Sequence, residues 1–176
     1  RLDQMTWEEV AAHLQTQDGA ILPLGSTEQH GPIGLIGTDT LCATAVAEGA
    51  ALAVGTIVLP TISYTPAPFN MAFPGTISVS EATFLGLLSE IMVALATQGF
   101  RRLYVVNGHG ANLSPLKASA ANGNLMVRAR SWWDYPETNA KRRVLYGEWE
   151  GMHATPSEVA ITQSQHRQVD RAPLPA

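Results

Sequence analysis

The sequence predicts an α/β protein, a three-layer α/β/α sandwich with a mostly parallel central sheet. Short apolar runs of strand length, bounded by glycine or proline, alternate along the chain with alanine-rich or apolar-striped helical segments. Strands that alternate with helices favour parallel pairing, with helices on the faces of the sheet. With 176 residues, the chain suits a single domain over residues 1–176.

Local signals place these elements in order along the chain. Thr6 and Glu9 form a capping box, which predicts a short helix ending near Leu14. A stripe of apolar side chains across residues 80–98 predicts a long helix, for which Gly99 suits the C-terminal cap. Buried strands are predicted at residues 20–24, 56–59, 103–106 and 125–130, and an alanine-rich helix at residues 39–53.

Proline marks the start of two further helices. Ser114 with Pro115, and Thr155 with Pro156, each indicate an N-cap residue followed by proline at the first helical position. In the second of these helices, Glu158 stands where a capping box would have its carboxylate.

Composition and charge narrow the classes of function. The net charge is −4 and no basic run occurs, so a bulk electrostatic hold on nucleic acid is not expected. No stretch has the length of a membrane span, and the N-terminus has no apolar leader-like region. One cysteine, Cys42, allows no internal disulfide, and its place in a predicted helix indicates a buried apolar residue. We therefore expect a cytoplasmic protein without nucleic-acid or membrane partners.

Metal-ligand side chains follow two of the predicted strands. Glu28 and His30 lie on a glycine-rich loop directly after the first strand, and His109 lies on another after the third. Asp39 stands near the start of the alanine-rich helix. Parallel α/β sheets bind ligands beyond the carboxyl ends of their strands, so these side chains are expected at the binding edge. Imidazole and carboxylate ligands without thiolate suit Zn²⁺, Mn²⁺ or Fe²⁺.

Each of these residues also has an ordinary structural explanation. Asp39 could complement the dipole of its helix, Glu28 and His30 could be exposed loop residues, and His109 could hydrogen-bond a turn. For any one residue alone, the ordinary explanation is the better one. Their joint placement at one edge of the sheet is what favours a metal site.

Five motifs in one order carry a resemblance to a known family. They are LPLGSTEQHGP at 22–32, GTDT at 37–40, FPGTIS at 73–78, NGHGAN at 107–112, and His153-Ala154 followed by Glu158. Together they resemble the motifs of the creatininase family. The resemblance implies an α/β hydrolase with one or two divalent metal ions. Such enzymes open or cleave amide-like bonds in creatinine, in formamides or at a peptide C-terminus.

The resemblance also implies roles for individual residues. Four residues match the family's metal ligands by position: Glu28, His30, Asp39 and His109. Asp39 is the expected bridge between ions, Glu158 matches a further carboxylate at the site, and His153 matches a histidine used in proton transfer. The expected cofactors are Zn²⁺ or Mn²⁺, with Fe²⁺ also suitable, at one or two ions per chain. A homo-oligomer, such as a hexamer, is expected, and the low charged fraction of 15% agrees.

Several positions depart from the family's pattern. Ala111 stands where creatininase has a glutamate, so a second metal would lose a ligand there. Glu158 is a ligand only if the start of its helix faces the site; otherwise it is a plain helix cap. Asn70 stands where the family often has a histidine, which indicates altered substrate contacts. Against the family's pattern we expect a chain shortened around residues 121–124 and at the C-terminus, either by real deletions or because segments are omitted from the sequence.

The motifs together predict a metal-dependent amidohydrolase that cleaves a C–N bond of a cyclic amide or formamide-type small molecule. A metal-activated water would attack the carbonyl, and His153 would pass a proton to the leaving nitrogen. Trp149 could form an aromatic wall for the substrate, or be an ordinary core or interface tryptophan. Two alternatives stay open: a peptide-end hydrolase of the same family, and a non-catalytic metal-binding scaffold subunit. A nucleotide site is disfavoured, because no phosphate-binding lysine follows the glycines around His109.

Overall fold

The chain folds around a parallel sheet in the computed structural model, which describes residues 1–119 and 125–170. The strands are β1 (Gly19–Leu24), β2 (Ile57–Val58), β3 (Arg102–Asn107) and β4 (Met126–Ser131). They lie in the order β2-β1-β3-β4, and each neighbouring pair is parallel. The predicted α/β class with a parallel central sheet is therefore confirmed.

Helices pack against both faces of this sheet. Within the described ranges they are α1 (Trp7–Leu14), α2 (Thr38–Val54), α3 (Glu81–Gln98), α4 (Leu113–Ser119), α5 (Pro136–Tyr146) and α6 (Pro156–Gln165). Because side chains alternate along a strand, Leu22 of β1 packs with Phe84 of α3 on one face, and Ile21 packs with Ala47 of α2 on the other. Cover on both faces explains why β1 is apolar along its length.

Two helix boundaries follow the sequence signals closely. Both hydrogen bonds of the Thr6–Glu9 capping box are present at the start of α1. The Ser80 side chain caps α3 by accepting a hydrogen bond from the backbone N–H of Thr83. The same helix ends at Gly99, whose φ of 106° is in the left-handed region that favours glycine.

Three elements differ from the sequence prediction. β2 is shorter than predicted. α4 begins at Leu113, so Ser114 lies inside its first turn and is not the N-cap, because a 3₁₀ turn over Gly110–Asn112 leads directly into the helix. α5 was not predicted; none of its residues is buried, so it lacks the apolar stripe that marks a helix in sequence. The shortening predicted around residues 121–124 falls outside the described residues.

Two glycines let the start of α2 press against the strand ends. A Cβ on Gly25, after β1, would collide with the backbone of Thr40, and one on Gly108, after β3, would collide with the carbonyl of Asp39. The Thr40 hydroxyl also donates a 3.0 Å hydrogen bond to the carbonyl of Ser26. The absence of side chains at these positions thus holds Asp39, in the first turn of α2, at the carboxyl edge of the sheet.

Two further sequence predictions concern the burial of Cys42 and the presence of membrane-spanning helices. Cys42 of α2 is fully buried in the apolar cluster between that helix and the sheet, as predicted. Burial raises the pKa of its thiol, so it is a small apolar core residue. In the described parts of the chain, no helix combines the length and apolar character needed to cross a membrane.

Candidate metal centre

The four side chains predicted as metal ligands meet at the carboxyl edge of the sheet. Glu28 and His30 come from the loop after β1, His109 from the loop after β3, and Asp39 from the first turn of α2. All four are buried, with exposed fractions of 0%, 1%, 5% and 2% in that order. The structure therefore brings together residues that are up to 81 positions apart, from Glu28 to His109.

Asp39 lies at the centre of this ligand cluster. Its Oδ1 is 2.9 Å from His30 Nε2, and its Oδ2 is 3.0 Å from His109 Nδ1. Glu28 Oε1 lies 3.2 Å from the same His109 nitrogen. One imidazole nitrogen thus faces two carboxylate oxygens, and nitrogen and oxygen donors of these kinds suit a divalent cation.

Three histidines show the same pattern of ring contacts. The outward nitrogen of each faces a backbone carbonyl: His30 Nδ1 with Glu28 at 3.1 Å, His109 Nε2 with Pro66 at 3.0 Å, and His153 Nε2 with Gln29 at 2.7 Å. When the outward N–H donates to a carbonyl, the inward nitrogen keeps its lone pair. Contacts of this kind fix the tautomer and orientation of metal-binding histidines.

Two carboxylate oxygens in the cluster are buried without a hydrogen bond. They are Glu28 Oε1 and Asp39 Oδ2, the two oxygens nearest His109 Nδ1. His109 is within ion-pair distance of both oxygens but is aligned to hydrogen-bond neither. Buried charged oxygens are costly unless a cation or donor satisfies them. The donor set therefore fits a divalent ion chemically.

The ionisation of the cluster reflects competition between burial and charge. Burial lowers the pKa of His109, but Asp39 and Glu28 outweigh it and raise that pKa to about 10. Burial raises the pKa of Asp39, but His109 and His30 outweigh it, so the pKa of this carboxyl lies below its usual range. The carboxylates thus favour positive charge at the cluster, supplied either by protonated imidazole or by a metal ion.

Glu158 both caps a helix and faces the cluster. Its Oε2 accepts hydrogen bonds from the N–H and hydroxyl of Thr155, at 2.7 and 3.0 Å, which completes a capping box at α6. The residue is 6% exposed, and its carboxylate groups with His30 and Asp39 as a further set of ligand atoms within 4.8 Å of one another. The two explanations of Glu158 from sequence are therefore compatible, because the start of α6 points at the site.

The ligand atoms form overlapping groups rather than one. Glu28, Asp39 and His109 make one group, and His30, Asp39 and Glu158 make another, each within 4.8 Å. Asp39 belongs to these two groups, and a third group joins Glu28, His30 and the more exposed His153. This sharing fits two neighbouring ions with Asp39 between them. Ala111, in the turn before α4, offers no carboxylate, whereas Glu158 does.

His153 reaches the cluster from a more exposed segment. Its side chain is 36% exposed, its Nδ1 lies 3.6 Å from Glu28 Oε1, and its ring centroid is 4.4 Å from that of His30. The next residue, Ala154, has a φ of 52°, in the left-handed region that non-glycine residues seldom occupy. Nδ1 is thus the ring nitrogen that faces the ligand cluster.

The two residues predicted as substrate contacts occupy different places. Asn70 is 7% exposed and donates a 2.9 Å hydrogen bond to Glu28 Oε2. Trp149 is 82% exposed. Sequence reasoning missed Gln29, whose amide nitrogen lies 3.0 Å from Asn70 Oδ1 and 3.2 Å from His153 Nε2. Its position between Glu28 and His30 in the first motif was the available signal.

The fold and the site together define the class of protein: an α/β protein with a candidate divalent-metal centre at the carboxyl edge of a parallel sheet. The chain belongs to the creatininase family, whose model, described as creatinine amidohydrolase, matches residues 3–173. The resemblance found in the motifs is thereby confirmed.

Curated relatives have several different activities. The chain is 30% identical to creatinine amidohydrolase of Pseudomonas putida, over 90% of this chain and 68% of that protein. It is 34% identical to the mycofactocin precursor peptide peptidase of Mycobacterium tuberculosis, over 91% of this chain and 67% of that protein. It is 36% identical to 3-dehydro-scyllo-inosose hydrolase of Thermotoga maritima, over 60% of this chain and only 34% of that protein.

Solved structures of creatininase share the fold. One described as creatinine amidohydrolase superposes with a TM-score of 0.82 at 28% identity, over 98% of this chain and 77% of that one. A mutant creatininase of Zn–Zn type has a TM-score of 0.81 at 28% identity, over 94% of this chain and 72% of that one. A manganese form has a TM-score of 0.81 at 28% identity, over 98% and 77% of the two chains.

Proposed function

We propose that the protein is a metal-dependent hydrolase that cleaves the C–N bond of a small cyclic amide or formamide-type substrate. The observation that carries this proposal is the set of three histidines whose outward nitrogens contact backbone carbonyls and whose inward nitrogens face buried carboxylates. Membership of a family that includes creatinine amidohydrolase supports the reaction class.

The residues of the chain divide between holding ions and handling the substrate. Glu28, Asp39 and His109 would hold one ion, and His30 with Glu158 would hold a second beside it, with Asp39 shared. The ions would be Zn²⁺ or Mn²⁺, as in the similar creatininase structures, with Fe²⁺ also suited to these donors. A bound divalent ion supplies Lewis acidity, polarising a carbonyl and acidifying a water molecule.

His153 is placed to move a proton. Its Nε2 donates to the carbonyl of Gln29, which leaves Nδ1 facing Glu28 at the edge of the cluster. From there Nδ1 can take up a proton and pass it to the leaving nitrogen of the substrate, a role that imidazole side chains commonly fill. Asn70 holds Glu28 Oε2, so that Oε1 stays directed at the ligand cluster. Trp149 and Asn70 complete the proposed substrate side of the site.

A metal assay combined with a substrate panel tests this function. Gently purified protein should contain at least about one divalent ion per chain, the minimum for one intact site. Chelation should abolish hydrolysis of cyclic amides or N-formyl compounds, and Zn²⁺ or Mn²⁺ should restore it. Protein that lacks metal and shows no shift in melting temperature on adding either ion would contradict the proposal.

A peptide-end hydrolase is the second candidate. The 34% identity to a peptide peptidase over 91% of this chain favours it specifically. The same panel decides between the two, since peptides cleaved faster than cyclic amides and formamides would select this candidate. A non-catalytic scaffold is disfavoured, because His153 and Glu158 both face the cluster.

We further propose that the protein is a homo-oligomer, with a hexamer as the expected size. The family resemblance and several exposed large apolar side chains support this, among them Leu52 at 88% and Val144 at 85% exposed. Light scattering at micromolar concentration should show more than one chain per particle. A strict monomer would contradict the proposal.

A further inference from the structure

Phe69 lies beside the ligand cluster with its ring against one of the candidate ligands. The ring is stacked on His109, with centroids 6.0 Å apart and planes 26° from parallel. Phe69 is nevertheless 64% exposed. Contact on one side and exposure on the other leave one face of the phenyl ring free.

The turn that presents Phe69 is fixed to the cluster on both sides. Before it, the carbonyl of Pro66 faces His109 Nε2 at 3.0 Å. After it, Asn70 donates a 2.9 Å hydrogen bond to Glu28 Oε2. Phe69 is therefore an exposed aromatic residue of a short 3₁₀ turn, Pro68–Asn70, that is anchored by two candidate ligand residues. A pre-positioned aromatic ring loses little conformational freedom on binding, which favours its use as a contact surface.

We propose that Phe69 forms a stacking subsite, and that the substrate carries a flat, conjugated group next to its scissile carbonyl. This inference rests on the proposed hydrolase function and deepens it by naming a substrate class. Aromatic groups pair with ring centroids about 4.5–7 Å apart, in offset or tilted arrangements. A planar group attached to a carbonyl beside His109 would lie within reach of the free face of Phe69.

A second copy of the chain is the alternative partner for this ring. Exposed aromatic side chains are common at subunit contacts as well as in ligand sites. The contacts of Pro66 with His109 and of Asn70 with Glu28 fix the turn beside the ligand cluster. This position favours the substrate over a second copy of the chain as the partner of the ring. Any change in assembly on removing the ring is therefore measured as part of the test.

The test compares two metal-chelating probes, benzohydroxamate and acetohydroxamate, on the Zn²⁺-loaded chain. Both chelate an ion through the same two oxygens, but only one carries a ring. Calorimetry measures both affinities for the unmodified chain and for Phe69→Ala, Phe69→Leu and Phe73→Ala. Phe73 is the matched control, an exposed phenylalanine four positions further along, with an exposed fraction of 52%.

Stacking on Phe69 predicts a loss of affinity for the probe that carries a ring and not for the other. Phe69→Ala should weaken benzohydroxamate about tenfold, within the range for an aromatic pair plus its buried area, and leave acetohydroxamate unchanged. Phe69→Leu should recover only part of the loss, because it restores apolar area without the ring. Phe73→Ala should leave both affinities unchanged.

Four outcomes would overturn the stacking subsite: equal weakening of both probes, an unchanged preference for benzohydroxamate in Phe69→Ala, full recovery by Phe69→Leu, or an equal effect of Phe73→Ala. A Phe69→Ala chain with altered light scattering and unchanged probe preference would assign the ring to a subunit contact. If acetohydroxamate fails to bind the unmodified chain at all, the proposed metal-dependent function fails, and the subsite fails with it.

Discussion

The ligand cluster and the segment that carries His153 (residues 147–155, the His153 segment) are held in different ways. The cluster lies on the loops after β1 and β3 and on the first turn of α2, which meet through close backbone contacts at Gly25 and Gly108. Its four ligands are at most 5% exposed. The His153 segment runs outside the sheet, and Met152 beside the histidine is fully exposed. The sheet thus determines where ions would bind, whereas other contacts determine where the proton-transfer group lies.

An ion pair supplies those other contacts. Arg142 of α5 and Glu150 of the His153 segment lie 2.6 Å apart, with side chains only 15% and 8% exposed. Glu150 also accepts hydrogen bonds from the backbone N–H and the hydroxyl of Ser157, in the first turn of α6. One carboxylate therefore joins α5, the His153 segment and the start of the helix that carries Glu158. Because the two regions are held by different contacts, we expect that the His153 segment can be disturbed without loss of metal binding.

The largest effect is expected at the shared ligand. Asp39→Asn removes an anionic oxygen from both ligand groups, so metal affinity should fall at least about a hundredfold, more than the usual cost of losing an outer contact. Activity should be lost with the metal. Glu48→Gln, the same chemical change on the exposed side of α2, is the control and should retain both. Asp39→Asn protein that keeps full metal content would contradict a bridging role.

The substitution Glu158→Gln distinguishes the helix-capping role of Glu158 from its proposed role as a metal ligand. Glutamine also serves at the third position of a capping box, so α6 should persist. A neutral amide is a poor substitute for a carboxylate beside a dication, so metal affinity or rate should fall by orders of magnitude. Glu9→Gln makes the same change in the capping box of α1 and should leave metal content unchanged. A fully metallated and active Glu158→Gln protein would show that Glu158 only caps.

His153→Gln should lower the rate without emptying the site. Loss of a positioned proton-transfer group typically costs about a hundredfold or more in rate. Metal content should stay within error of the unmodified protein, because the four buried ligands of the cluster, Glu28, His30, Asp39 and His109, remain. His166→Gln, at an exposed histidine just after α6, is the control. Loss of metal in His153→Gln would make His153 a ligand and remove the contrast between the two regions.

The smallest effect on metal binding and rate is expected from a substitution in the Arg142–Glu150 ion pair. Glu150→Gln should destabilise the protein by about 1–3 kcal/mol, between the values for exposed and buried pairs. The rate should fall modestly, with metal content unchanged. Glu148→Gln, at an exposed neighbour, is the control and should change neither. Metal loss in Glu150→Gln as large as in Asp39→Asn would show that the two regions are not separable.

The effect of Glu150 should also depend on pH. Burial raises the pKa of this carboxyl, but Ser157 and Arg142 outweigh it, so the pKa lies below the ordinary value of 4.5. A lowered folded-state pKa contributes stability above the unfolded value and loses it as the pH falls through the folded one. The difference in melting temperature between Glu150→Gln and the unmodified protein should therefore be full at neutral pH and shrink as the pH falls below 4.5. A difference independent of pH would show that the charge does not stabilise the segment.

The ligand cluster was predictable from sequence because three of its four residues follow strand ends. Glu28, His30 and His109 each lie within a few residues of an apolar run, and the geometry of parallel sheets brings such positions together. The directions of the ring nitrogens were not predictable, since they depend on carbonyls contributed by Pro66 and Gln29. The double role of Glu158 was left open in sequence because it depends on which way α6 points.

The His153 segment was less predictable for a physical reason. The large apolar residues of α5 are confined to its C-terminal turn, so no periodic apolar stripe marks the helix in the sequence. Arg142 stands between two other basic residues, which is typical of a solvated surface. Its side chain is nevertheless only 15% exposed, and its guanidinium lies 5.5 Å from the ring centre of Trp132. A charged residue in sequence carries no sign of a distant partner such as Glu150.

The backbone contacts at Gly25 and Gly108 have a consequence for engineering. Where main chain meets main chain, the spacing of the parts cannot be adjusted by choosing a larger or smaller side chain. The position of the ligand cluster is therefore fixed by the backbone, whereas the turn around Phe69 and the His153 segment can accept substitutions. A library aimed at new substrates should leave both glycines alone and sample the exposed rim, where a substitution alters selectivity before it alters folding.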